Sequence, residues 1–252
     1  AEAPAPVALL LGGVIVKLGG YGIIRVNVGE FQAAFHRISG AIIVIAVVTV
    51  LWSAVAALAQ DDLRRTVGYV VVSHMGLVLL AAASGVPIAL NGAVLLMVAD
   101  GLTAALLVLL SAAIVERSAT HSMRAMGGLA GRMGRGAVLW IFATLAALGF
   151  PGLAGFIGQF LIVVGAYPNH RIATALVLLG MLAVAGAMII TVQRIFFGVV
   201  PERHGRVRDL GTAELANGVV LLSLIVLLGV LPALLMDSIN YSVISLLSRG
   251  GG

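Results

Sequence analysis

Pro6-Val-Ala-Leu-Leu-Leu-Gly-Gly-Val-Ile-Val-Lys17-Leu-Gly-Gly-Tyr-Gly-Ile-Ile24 is an apolar run of membrane-spanning length broken by one charge. Lys17 is the only lysine in the chain. A charge at the centre of a span costs roughly 2.5–3.5 kcal/mol on insertion scales, so such residues mark functional sites by default. A lysine near a helix end escapes this cost by snorkelling to the interface. Here about ten mostly apolar residues precede it, which is too deep for that escape.

Working outward, the rest of the chain has the same character. Of its 252 residues, 61% are hydrophobic and only 10% charged, against about 25% charged in a soluble domain. The reading is an all-α polytopic membrane protein forming one transmembrane domain over residues 1–252, with lipid as its main surroundings. Thirty-two glycines suit close helix packing in lipid. There is no cysteine, which excludes disulfides, thiol redox chemistry and cysteine-held iron–sulfur or zinc sites. The net charge of +5 belongs to arginine-rich loops rather than to a nucleic-acid surface. No signal peptide is visible, and the abrupt start at Ala1-Glu-Ala-Pro predicts a piece of a longer protein.

About seven spans follow from the apolar runs: Pro6 to Ile24, Ile38 to Leu58, a third from after Asp61-Asp-Leu-Arg-Arg65 to Ala83, Ile88 to Val115, Ala137 to Ala166, Ala173 to Phe197, and Gly218 to Leu235 with a short tail. Polar loops cover about 116–136 and 199–213. The fifth span contains Gly149-Phe-Pro-Gly-Leu-Ala-Gly155, which predicts a discontinuous helix, tolerated at membrane depth only where it is buried in protein or lines a cavity. The alternative is two half-length segments with a loop outside the membrane. Arginines settle orientation. Arg64, Arg65, Arg117, Arg124, Arg132, Arg135, Arg194, Arg203, Arg206 and Arg208 fall in the loops after spans two, four and six, leaving Arg25, Arg37, Arg171 and Arg249 opposite. Those loops are therefore expected in the cytoplasm and the C-terminus outside. Counting the broken fifth segment as one span preserves this asymmetry.

Three ionisable groups lie well within spans, Lys17 in the first, His74 in the third and Asp100 in the fourth, and Gln159 lies just past the break in the fifth. Ionisable groups on three separate spans suggest a proton relay. Desolvation lets a buried amine release its proton, imidazole shuttles through two nitrogens, and a carboxylate can pair with the amine. Each residue alone has a structural alternative. His74 could bond a neighbouring carbonyl, Asp100 could neutralise Lys17 or Arg65, and Gln159 could be interhelical glue. Arg64 and Arg65 read as interfacial anchors, Tyr21 and Tyr69 as packing residues. His121, His170 and His204 have no metal-ligand spacing, and no cofactor-binding motif occurs.

Glu2-Ala-Pro4, Lys17-Leu-Gly-Gly-Tyr-Gly22, Asp62-Leu-Arg-Arg followed by Tyr69, Ser73-His-Met-Gly76, Gly101-Leu-Thr-Ala104, Glu116-Arg117, Met126-Gly-Gly-Leu129 and Phe150-Pro-Gly-Leu-Ala-Gly-Phe156 occur in this order over nearly the whole chain. Together they resemble subunit M of bacterial NADH-quinone oxidoreductase, respiratory complex I, a family related to Mrp cation/proton antiporter and membrane-bound hydrogenase subunits. The resemblance implies the C-terminal half, spans 8–14, of a fourteen-helix inverted-repeat fold. It implies a bacterial inner-membrane subunit with antiporter-like neighbours, translocating protons without redox chemistry or cofactors of its own. Lys17 matches the family's central lysine and His74 its intramembrane histidine. Asp100 stands where the family has a second histidine, and Gln159 where it has a titratable glutamate. The resemblance is therefore compatible with a rearranged relay in a complex I-like subunit, with an Mrp-type cation/proton antiporter or membrane-bound hydrogenase subunit, or with a structural subunit that has lost conduction. The family's lysine–glutamate pair belongs to the N-terminal half, outside this sequence.

Overall fold

The computed structural model describes residues 3–198 and 207–249. Arg203, Arg206, His204 and the terminal Gly250-Gly-Gly lie outside the described residues. Besides two short 3-10 turns, Met123–Ala125 and Leu129–Gly131, nine helices occur among the described residues: α1 (Pro6–Val28), α2 (Gln32–Ala59), α3 (Leu63–Ser84), α4 (Pro87–Ser118), α5 (Gly134–Ala147), α6 (Ala154–Ala166), α7 (Arg171–Phe196), α8 (Thr212–Val230) and α9 (Ala233–Arg249). Six of them, α1–α4, α7 and α8, are long and apolar enough to cross a membrane.

Local chemistry sets the ends. The Asp62 carboxylate accepts from the Arg65 amide at 3.0 Å and caps α3. That helix ends on Gly85, in the left-handed region at φ 65°, and Pro87 opens α4 at a position where its missing N–H costs nothing. The loop after α4 is sewn to the α2–α3 turn. Asp61 accepts from the Ser122 hydroxyl and from the Arg124 amide at 3.0 Å, and its carbonyl accepts from the Met123 amide at 2.8 Å. Burial opposes ionisation of Asp61, but these bonds outweigh it and hold the carboxyl below its ordinary range. Asp209 takes the same role at the start of α5, accepting from the Arg135 and Gly136 amides at 2.9 and 3.2 Å. Its carboxyl is also depressed, the backbone bonds overcoming desolvation.

The fifth expected span is two half-helices, α5 of 14 and α6 of 13 residues, joined by residues 148–153. Gly149 at φ 72° and Gly152 at φ 90° supply left-handed turns that side chains adopt rarely. Each half is about 20 Å long at 1.5 Å per residue, short of the roughly 30 Å hydrocarbon core. They cross it together. α5 starts beside Asp209 and the α4–α5 loop, whereas the end of α6 packs Gly165 against Ala89 in the first turn of α4. A Cβ at Gly158 would stand 2.8 Å from the Leu96 amide nitrogen, so α6 and α4 touch through backbone.

The end of the chain differs from the sequence expectation. The last span runs Thr212–Val230 rather than to Leu235, and the expected short tail is helix α9. Asp237, Ser238, Asn240 and Ser242 disqualify this segment as a lipid-length run. It instead buries Ile239, Val243 and Leu246, spaced as one face of an amphipathic helix, and Asn91 Nδ2 donates to Asn240 Oδ1 at 2.9 Å.

α3 and α4 lie at the centre, about 70% buried over their apolar windows, against 17% for α1. Their apolar contacts form two clusters. One includes Val67, Val70, Leu106 and Trp140, on the side of the α4–α5 loop. The other includes Leu77, Leu80, Leu95 and Ile162, on the α9 side. His74 falls between Val70 and Leu77 on α3, Asp100 between Met97 and Leu106 on α4, and Gln159 between Ala154 and Ile162 on α6. A polar layer therefore divides the core at mid-depth.

A buried polar chain as candidate functional site

Within that layer the four residues singled out from sequence make one connected chain. Lys17, His74, Asp100 and Gln159 are 8%, 4%, 3% and 4% exposed, so their polar atoms have each other rather than water. Asp100 is the centre. Its Oδ2 lies 2.7 Å from Lys17 Nζ, and its Oδ1 lies 2.6 Å from His74 Nδ1. The other imidazole nitrogen, Nε2, lies 3.4 Å from Gln159 Nε2. Gln159 Nε2 donates to the Ala147 carbonyl at 3.1 Å, the last residue of α5. The chain thus runs from α1 through α4 and α3 to the helix break. Asp100 neutralises Lys17, not Arg65, and His74 bonds a carboxylate rather than a neighbouring carbonyl.

Each position has a local cause. Lys17 is flanked by wide π-helical turns at Leu11–Ile15 and Ile23–Val28, a form frequent at functional sites. Its ammonium also donates to the Gly12 carbonyl at 2.5 Å. α1 and α4 come into backbone contact next to the pair: a Cβ at Gly101 would sit 2.8 Å from the Gly13 carbonyl oxygen. This close approach brings a lysine and an aspartate on neighbouring spans into direct contact. At the other end, a Cβ on Gly149 would sit 2.1 Å from Gln159 Oε1, so glycine at the break makes room for the amide.

Sequence reasoning missed the backbone members, the carbonyls of Gly12 and Ala147. Gly12-Gly13 and the Gly-Phe-Pro-Gly break were the available signals. Arg117, read above as a loop arginine and part of a motif, makes a bidentate pair with Glu214 at 3.0 and 2.5 Å, tying the last turn of α4 to the first of α8. Among the described residues no cluster of three or more metal-ligating side chains occurs.

Chemically, the arrangement sets a cation, a carboxylate and an imidazole in short contact, all three groups able to hold a proton. At the Gln159 end the group is an amide, which does not titrate.

Comparison with known proteins agrees with this architecture. The chain is 32% identical over 261 residues to NAD(P)H-quinone oxidoreductase chain 4 1 of Synechococcus sp. (strain JA-3-3Ab), covering 98% of this chain and 49% of that protein. It is 34% identical over 238 residues to NADH-quinone oxidoreductase subunit M of Pseudomonas aeruginosa, covering 94% and 46%. The chain spans about half the length of the curated relatives it matches. Its fold superposes on a chain of respiratory complex I from Thermus thermophilus with TM-score 0.89, 28% identity and coverage of 94% and 50%. A chain of the Mrp complex from Dietzia sp. shares the fold, with TM-score 0.88, 19% identity and coverage of 96% and 53%. Residues 1–186 match the family model described as NADH:quinone oxidoreductase/Mrp antiporter, TM, and the chain belongs to that family of antiporter-like membrane subunits.

Proposed function

We propose that this chain is part of a membrane-arm subunit of a complex I-like NADH:quinone oxidoreductase and passes protons along Lys17, Asp100 and His74. The observation that carries this reading is the unbroken Lys17–Asp100–His74 contact at mid-depth. The cost of desolvating these charges in lipid makes a purely incidental arrangement expensive. Quinone reduction elsewhere in the complex would shift charge along the membrane arm and loosen the Lys17–Asp100 pair. Lys17 then yields its proton to the carboxylate, and His74 carries charge toward the helix break. The subunit holds no redox group in this scheme and works beside antiporter-like neighbours and the other half of its own fold. Loops after α2, α4 and α7 face the cytoplasm of a bacterial inner membrane, by the arginine asymmetry.

The test is Asp100→Asn in the assembled complex, with NADH-driven proton pumping measured in vesicles. Pumping per NADH should fall severalfold while quinone reduction continues. Pumping at the wild-type ratio removes Asp100 from the path.

A second reading, a structural subunit that no longer conducts, is favoured by one observation: an amide occupies the far end of the chain. Gln159→Glu separates the two. A gain in pumping identifies Gln159 as the block; no gain means that it is not.

A further inference from the structure

Gln159 has donors and acceptors arranged too specifically for a residue that merely fills a missing carboxylate's place. The Ala147 carbonyl can only accept, so the Gln159 side chain must present its NH2 to it. The same nitrogen lies 3.4 Å from His74 Nε2, and an NH2 carries two protons. The group facing Nε2 is therefore a donor, and Nε2 must be the bare nitrogen. On the opposite edge of the ring, Nδ1 is 2.6 Å from a carboxylate oxygen, which takes a proton from it. Both neighbours demand the same tautomer, neutral with the proton on Nδ1.

We propose that Gln159 is a positioning residue that holds His74 in the neutral Nδ1–H tautomer, and that His74 exchanges a proton at Nε2 only when this amide turns off the Ala147 carbonyl. The consequence for transport rests on the relay reading above; the tautomer itself does not. Protonating Nε2 with the amide in place would set two donors face to face. The charged groups facing the imidazole are Asp100 and, through it, Lys17, both on the Nδ1 side. Around Nε2 the small chamber is completed by Ser73, Leu148, Met181 and Val184, with no further charge. Its volume, about 10 Å³, is at the lower limit for one water molecule. Gly149 leaves the space for Oε1 that a methyl group would fill. Only protons move in the step. With the amide turned away, Nε2 takes a proton from water at the break as Nδ1 gives its own to the Asp100 carboxylate; in the reverse transfer Nε2 returns a proton to that water as Nδ1 takes one from the Asp100 side, and the ring is again neutral with its proton on Nδ1. Gln159 then closes over the bare nitrogen and disfavours return.

The test is nitrogen-15 NMR of histidine-labelled full-length protein in its membrane complex, with His74→Gln identifying the His74 signals. At neutral pH the wild type should show one protonated and one bare nitrogen, the proton on Nδ1. Gln159→Glu puts an acceptor opposite Nε2, and both nitrogens should become protonated in the nitrogen-15 spectrum. Wild-type His74 found doubly protonated, or protonated on Nε2, overturns the proposal without any variant. A Gln159→Glu signature identical to wild type overturns it as well. The expected NMR result together with wild-type pumping in Asp100→Asn would keep the positioning role and discard the relay.

Discussion

Asp100 and Asp209 are both carboxylates held by several donors, yet they stand in opposite surroundings. Asp209 sits at the start of α5 next to water and takes backbone amides that a helix start leaves free. Asp100 sits at mid-depth between two apolar clusters and takes side chains from two other spans, one of them a full charge. At the edge a carboxylate is one of many interchangeable ways to finish a helix. In the middle it has no substitute, because each partner it leaves becomes an unpaired polar group in a medium that cannot solvate it.

The largest effect should come from breaking the central set. Asp100→Ala leaves the Lys17 ammonium without its counter-charge and the His74 Nδ1–H without an acceptor. The expected loss is about 3–5 kcal/mol, the cost of orphaning one member of a buried pair. Thermal or denaturant unfolding of the purified subunit would show it. The double variant Lys17→Met with Asp100→Leu should recover most of that stability while leaving pumping abolished. If Asp100→Ala alone is as stable as wild type, Asp100 is not buried as the structure has it.

An intermediate effect should follow from Gly101→Val, which touches no charge. The added carbons meet the Gly13 carbonyl oxygen, backbone that cannot rotate away. The two spans must part, at a cost of about 1–3 kcal/mol by analogy with overpacked cores. The parting lengthens the Lys17–Asp100 contact, so pumping should fall more steeply than stability does. Equal losses of both would mean that the backbone approach serves packing alone.

These residues also show what could be read before the structure. Lys17, His74 and Asp100 stood out because an ionisable group in an apolar run is costly whatever its neighbours are. The break at Gly149 was legible because glycine and proline change the backbone regardless of tertiary context. What could not be read was adjacency. Asp100 could have faced Lys17 or Arg65, and only the packing of Gly101 on Gly13 decides between them. α9 was missed for a related reason. Its polar residues remove the lipid-length signal, and its apolar face of Ile239, Val243 and Leu246 has meaning only once the ends of α1 and α4 provide a surface. The π-helical turns around Lys17 have no established sequence pattern beyond nearby glycines.

The smallest effect belongs to the edge, and it has a pH signature. Asp61 and Asp209 have carboxyls depressed in the folded chain, so each contributes stability above its unfolded value near 3.9, and that contribution is lost as pH falls through the lower folded value. Between neutrality and pH 5 the α4–α5 loop should therefore resist proteolysis equally well. Below about pH 4 its cutting by an acid-active protease should accelerate, as the Ser122 and Arg124 bonds to Asp61 weaken. Asp61→Asn should remove much of that acid dependence, because the amide does not titrate, at a cost of under about 1 kcal/mol for a bond set this exposed. Pumping should change little in the same variant, since Asp61 lies at the loop and not in the chain from Lys17 to Gln159. A large pumping defect in Asp61→Asn would break the contrast between edge and centre, placing a functional proton site where only a structural one is expected.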